Sequence, residues 1–95
     1  MPTIDHENKV AFATCVELVL MRHGNSNYNS VLSKLQALYN CGIQESLDNP
    51  KYLQDTLKEV YKNKYYSMVD EIKIESERLV DMAEFKDNFF KIMLR

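Results

Sequence analysis

Arg22-His23-Gly24 is the one place in this 95-residue chain where an imidazole and a guanidinium stand side by side. An imidazole is a competent nucleophile when cationic groups neutralise the oxygens being transferred. Asn29 follows in the same stretch. Three other groupings carry side chains suited to chemistry. Cys15, His23 and Cys41 are metal-ligand types, but their spacing matches no known site, and buried cysteines are the plainer reading. Asp70, Glu71 and Glu75 can share one helix. They lack the paired Glu-x-x-His that helical di-metal sites use, so a solvated face is expected there. Lys58, Lys62 and Lys64, joined by Lys51, form a candidate basic patch for an anionic partner.

The stretch from Leu18 to Asn29 resembles the signature of the histidine phosphatase and phosphoglycerate mutase superfamily: an apolar strand, Arg-His-Gly, a small hydroxyl residue and an Asn. The resemblance implies His23 as phosphoryl acceptor, Arg22 holding the phosphate and Asn29 nearby. It covers about a dozen residues. That family also needs a second Arg, a second His and a carboxylate acid. Here no His follows His23, and the later arginines are Arg78 and Arg95. The family's doubly wound sheet needs repeated βαβ units, whereas residues 43 to 95 read as helix. The alternative is a helix boundary. Basic side chains suit the negative end of a helix, and Gly24 suits the left-handed position beyond it. We adopt that reading. No residue is assigned as catalytic, cofactor-binding or metal-binding, and no enzymatic activity is expected.

The elements that carry these residues follow from composition and periodicity. Hydrophobic residues make up 45% and charged residues 27%, which favours one globular domain over residues 1–95 rather than disorder. Two Gly and two Pro are too few for a loop-rich β fold. A net charge of -2 argues against general nucleic-acid binding. Two cysteines without C-x-x-C spacing fit a reduced, cytoplasmic chain. The apolar run from Val10 to Met21 is too short to span a bilayer, and acidic Asp5 and Glu7 argue against a signal peptide. No membrane association is expected.

Residues 1–7 read as a loose lead. Lys9 to Arg22 reads as a helix apolar nearly all round, capped by Asn8 or Asp5. Such a helix is buried on several sides or packs against a second copy. Tyr28 to Cys41 follows the i, i+3, i+4, i+7 rule through Tyr28, Val31, Leu32, Leu35, Leu38 and Tyr39, after a Ser26 or Asn27 cap. Gly42 stops it, with Ile43 folded back on Leu38. Asn49-Pro50 starts a helix to about Lys62. Lys62-Asn63-Lys64 is a possible break, and another lies near Asp81, where Asp81 and Glu84 have capping-box spacing. Without the second break, one helix of roughly thirty residues would overhang the core. The fold class expected is an all-α bundle of four to five helices with a long C-terminal helix. Its core centres on Phe12, Val16, Leu20, Val31, Leu32, Leu35, Leu38, Leu53, Leu57, Val60, Val69, Ile72 and Leu79.

Read as helices, Glu17 to Val80 resembles a small archaeal family, the Nitrososphaera output domain of the fifth type. The markers are a helix ending in His23-Gly24, an amphipathic helix from Tyr28 to Tyr39, and Gly42-Ile43. They continue through Asn49-Pro50, Leu53, Leu57 and Val60-Tyr61 to a final helix around Val69, Ile72 and Leu79. The departure is at Lys62 to Tyr65, where small residues would be expected. The resemblance implies an output or accessory role in archaeal signalling, with no catalytic residues to carry over. The expected function is a protein-interaction or dimerisation module. It would self-associate as a homodimer through apolar helix faces, including the C-terminal Phe89, Phe90, Ile92, Met93 and Leu94.

Overall fold

The first helix starts where a carboxylate can cap it. In the computed structural model, which describes residues 5–95, the Asp5 side chain accepts the Asn8 backbone N–H at 2.9 Å. That satisfies one of the orphan donors of a helix start. Helix α1 then runs His6–Arg22. Asp5 is thus the cap and Asn8 its donor. The expected lead shortens, because His6 and Glu7 are already helical. Met1 to Ile4 lie outside the described residues.

The boundary at Gly24 is present. The His23 and Gly24 N–H groups donate back to the Leu20 and Met21 carbonyls at 3.2 and 3.0 Å. Gly24 takes a φ of +113°, a setting that side-chain-bearing residues rarely adopt. It leads directly into α2 (Asn25–Tyr39), so Ser26 and Asn27 lie inside the helix instead of capping it. Helix α2 ends at Asn40, which adopts the left-handed conformation, not at Gly42. Asn tolerates that conformation through local hydrogen bonding. Gly42 is extended, and its N–H donates to Glu45 Oε1 at 2.9 Å. It starts a single helical turn, α3 (Ile43–Ser46), which the sequence does not announce. Ile43 is buried while Leu38 is 61% exposed, so Leu38 leaves the expected core.

Pro50 opens α4 (Pro50–Tyr61), its missing N–H costing nothing at that position. The Asn49 side chain makes no cap bond. The break at Lys62–Lys64 is a 3-10 turn, in which Lys62 and not Asn63 takes the positive φ. Helix α5 (Tyr65–Ser76) follows, so a run of 27 consecutive helical residues extends from Pro50 to Ser76. The second break also occurs. Glu77 to Met82 leave the helix, and α6 (Ala83–Met93) closes the chain. No side-chain cap forms at Met82, so the Asp81–Glu84 box is not used. The fold is an all-α bundle.

Helix α1 packs against α5 and α2, and α4 packs against α2 and α6. The core draws on all six α-helices, and within it the Phe12 ring of α1 reaches the rings of α6. Phe12 is wholly buried and stands edge-on to Phe85 and Phe89, with centroids 5.2 and 4.8 Å away. Edge-to-face pairs add to simple burial. This corrects the reading of the C-terminal apolar residues as an interface. Phe89, Phe90 and Met93 are buried inside the protomer, and Leu94 alone of that group is substantially exposed. Leu32, Val60 and Leu79, expected in the core, pack at its edge instead.

The last turn of α6 leaves carbonyls without helical partners. Side chains from α4 and α5 supply donors. Gln54 Nε2 donates to the Ile92 carbonyl at 2.9 Å, Tyr65 Oη to that of Met93 at 2.6 Å, and Lys58 Nζ to that of Arg95 at 3.1 Å. Burial raises the phenol pKa of Tyr65 well above the ordinary range, and burial likewise raises Tyr28, Tyr39 and Tyr61. A group whose folded pKa is raised contributes stability that is complete below its unfolded pKa and is lost as pH rises through the folded value. Stability is therefore expected to fall above about pH 10. Phenolate absorbance should rise late, together with loss of helical circular dichroism. Tyr65→Phe should cost about 1–2 kcal/mol near neutrality, because the Met93 carbonyl loses its donor. It should also soften the alkaline fall. An early phenolate rise in a fully helical protein would contradict this account.

Candidate functional site

Residues that looked like separate candidates in the sequence meet in the structure. The end of α1 lies against the middle of α5. Arg22 Nη1 donates to Glu71 Oε1 and Nη2 to Glu75 Oε2, both at 3.3 Å. His23 Nε2 sits 2.5 Å from the other oxygen of Glu71. Glu71 and Glu75 are one helical turn apart on α5, so both carboxylates face the same neighbour. Their position opposite Arg22 comes from α1 packing on α5. Below this cluster, the buried Cys15 thiol lies 3.8 Å from the Glu75 carbonyl and receives a contact from Arg78 Nη2 at 3.6 Å.

This arrangement is poorly matched to handling a phosphate. The Arg22 guanidinium is already committed to two carboxylates, and a third anion would meet their charge. The imidazole is engaged by Glu71. Asn29 is exposed on α2. The motif sits at a helix end, and no strand occurs among the described residues. What the cluster does physically is fix the end of α1 on α5. The pairs are partly solvated, so each contributes about 0–1 kcal/mol. Glu71→Ala, which frees both Arg22 Nη1 and His23, should lower stability by about 1 kcal/mol. Urea melts check this, and a loss above about 3 kcal/mol would mean the group behaves as a buried pair instead.

The other groupings do not assemble. Cys15 faces α5, whereas Cys41 sits between α2 and α3, and both thiols are free. Burial, then the charge of Glu45, raises the Cys41 thiol pKa and so lowers its thiolate fraction. Asp70 is exposed and joins neither Glu71 nor Glu75 at the Arg22 cluster. Among the described residues no three His, Cys, Asp or Glu side chains gather as a metal set. The basic patch also thins out. Lys51 bonds Gln54 and Asp55, and Lys58 reaches Arg95 and the face of Tyr65. Lys62 and Lys64 stay exposed on the 3-10 turn.

Known protein families, curated proteins and solved structures offer no match to this chain. The surface itself offers one candidate, the outward face of α1. Val10, Leu18 and Met21 are each 40–42% exposed, and Thr14 is exposed between them. They belong to the helix whose nearly all-round apolar pattern implies either burial on several sides or packing against a second copy. The opposite side of α1 is the buried one, through Phe12, Cys15, Val16, Val19 and Leu20. The Thr14 hydroxyl donates to the Val10 carbonyl at 2.9 Å, which leaves its methyl group to the surface. The ionisable neighbours turn sideways to other elements. Lys9 pairs with Asp48 at 2.6 Å, Glu17 accepts the Tyr28 hydroxyl at 3.3 Å, and Arg22 pairs with α5. The result is a charge-free helical stripe about three turns long. Its signal in the sequence was Thr14, a polar residue four positions from both Val10 and Leu18.

Proposed function

We propose that this protein is a non-enzymatic interaction module that self-associates through the outward face of α1. The observation that carries the reading is the uncharged stripe from Val10 to Met21, exposed while Lys9, Glu17 and Arg22 beside it are held to other elements. Clustered exposed apolar side chains mark interaction surfaces, whereas scattered ones need no explanation. The resemblance to the Nitrososphaera output domains supports a regulatory use of such a module in archaeal signalling, in the cytoplasm. No described helix is long and apolar enough to cross a membrane.

Analytical ultracentrifugation tests the proposal. The protein should pass from monomer to dimer with rising concentration. Leu18→Glu puts a charge in the middle of the stripe and should weaken association about thirtyfold or more, a cost of about 2 kcal/mol. Circular dichroism should show the variant fully helical. A strict monomer at high concentration, or a dimer indifferent to Leu18→Glu, sinks the reading.

A further inference from the structure

We infer that the partner on the α1 face is a second copy of this chain lying antiparallel, with the two-fold axis passing beside Thr14. This rests on the self-association proposed above and adds its geometry. Thr14 stands midway along α1 and at the centre of its exposed face. Val10 and Leu18 flank it at equal distance in either direction. In an antiparallel pair, Val10 of each copy meets Leu18 of the other, and the small Thr14 allows close approach at the axis. That is the self-complementarity a two-fold interface demands.

Charge selects the direction. Glu7 lies exposed at the start of the face and Arg22 at its end. Within the Arg22 cluster the cation is outermost: its side chain is 53% exposed, against 29% and 26% for Glu71 and Glu75. With Glu71 and Glu75 balancing Arg22 and His23, that end of the face is close to neutral, whereas the Glu7 end is acidic. An antiparallel copy brings Glu7 toward the Arg22 end of its partner at both ends of the contact. A parallel copy brings Glu7 toward Glu7 and Arg22 toward Arg22. Asp5, Asp81 and Glu84 line one pocket at the Glu7 end and would deepen that repulsion. Opposed helix dipoles favour the same choice.

Disulfide trapping in the full chain, with Cys41→Ser to remove the accessible thiol, decides the point. Thr14→Cys should cross-link to itself under mild oxidation. Val10→Cys alone should not, since its two copies lie about 12 Å apart along the helix, at 1.5 Å per residue. A disulfide requires Cα atoms within about 7 Å. Val10→Cys mixed with Leu18→Cys should yield the heterodimer. As a second measure, Glu7→Arg should raise the dissociation constant about tenfold. Self-cross-linking of Val10→Cys and Leu18→Cys would establish a parallel pair and overturn the geometry while leaving self-association intact. A dimer that none of the three cysteines traps would place the contact elsewhere and overturn both. A monomer in the ultracentrifuge would remove the proposed function itself.

Discussion

Ending the chain after Met82 should abolish cooperative folding. The lost segment carries α6, and with it Phe85, Phe89, Phe90 and Met93, all buried. Fully burying side chains of this size stabilises by about 1.5–3 kcal/mol each, so the four together supply roughly 6–12 kcal/mol. A domain of this size has about 5–15 kcal/mol in total. The truncated chain would also expose Phe12 and leave Gln54 and Tyr65 without their carbonyl acceptors. The expected product retains some helical circular dichroism, binds a hydrophobic dye and melts without a sharp transition. A cooperative melt in the truncated chain would refute the placement of α6 in the core.

Phe12→Ala is the single substitution with the largest expected effect. The ring has no solvent exposure and lies between Phe85 and Phe89, with Phe90 6.1 Å away. Three surrounding rings cannot all collapse into the space it leaves. The cost should be about 3–5 kcal/mol. At about 4–8 °C per kcal/mol, the melting temperature should drop by roughly 15–30 °C. Phe12→Leu keeps most of the volume and should cost about 1–2 kcal/mol through shape mismatch. Urea denaturation of both variants checks the order. A loss under about 1 kcal/mol for Phe12→Ala would show that the ring cluster is not closely packed.

Local signals in the sequence suffice where local physics fixes the outcome. Gly24 ends a helix because its backbone must go left-handed. Pro50 opens one, and the chain breaks at Lys62 and again before Ala83. The structure departs from those signals where the outcome depends on distant partners. Leu38 fits the periodic stripe of α2, yet α2 fully buries only Val31 and Leu35, and the end of the helix is covered on the side of Tyr39, which stacks on Tyr52, while Leu38 stays exposed. Asn40 takes the left-handed position two residues before Gly42, since either residue permits it. The aromatic end of the chain looked like an exposed seam. Its partner is Phe12, far back in the sequence, and periodicity cannot show that pairing. Arg22 and Glu71 meet for the same kind of reason: no local pattern announces a pair joined only by helix packing. The resemblance of Arg22-His23-Gly24 to a phosphate site was likewise a local match, and its surroundings gave both side chains other partners.

The aromatic cluster also bears on how quickly this protein assembles. Helical bundles usually fold fast because neighbours in space are neighbours in sequence. Here the ring that seals the core comes from the first helix, and the rings that receive it come from the last. Joining them closes a loop of nearly the whole chain, an entropic cost paid before the contact returns anything. The helices between can pair earlier, α2 against α4, without completing the interior. Folding should therefore be slower than helix content alone suggests. Phe12 variants should chiefly accelerate unfolding, since the contact they weaken forms late.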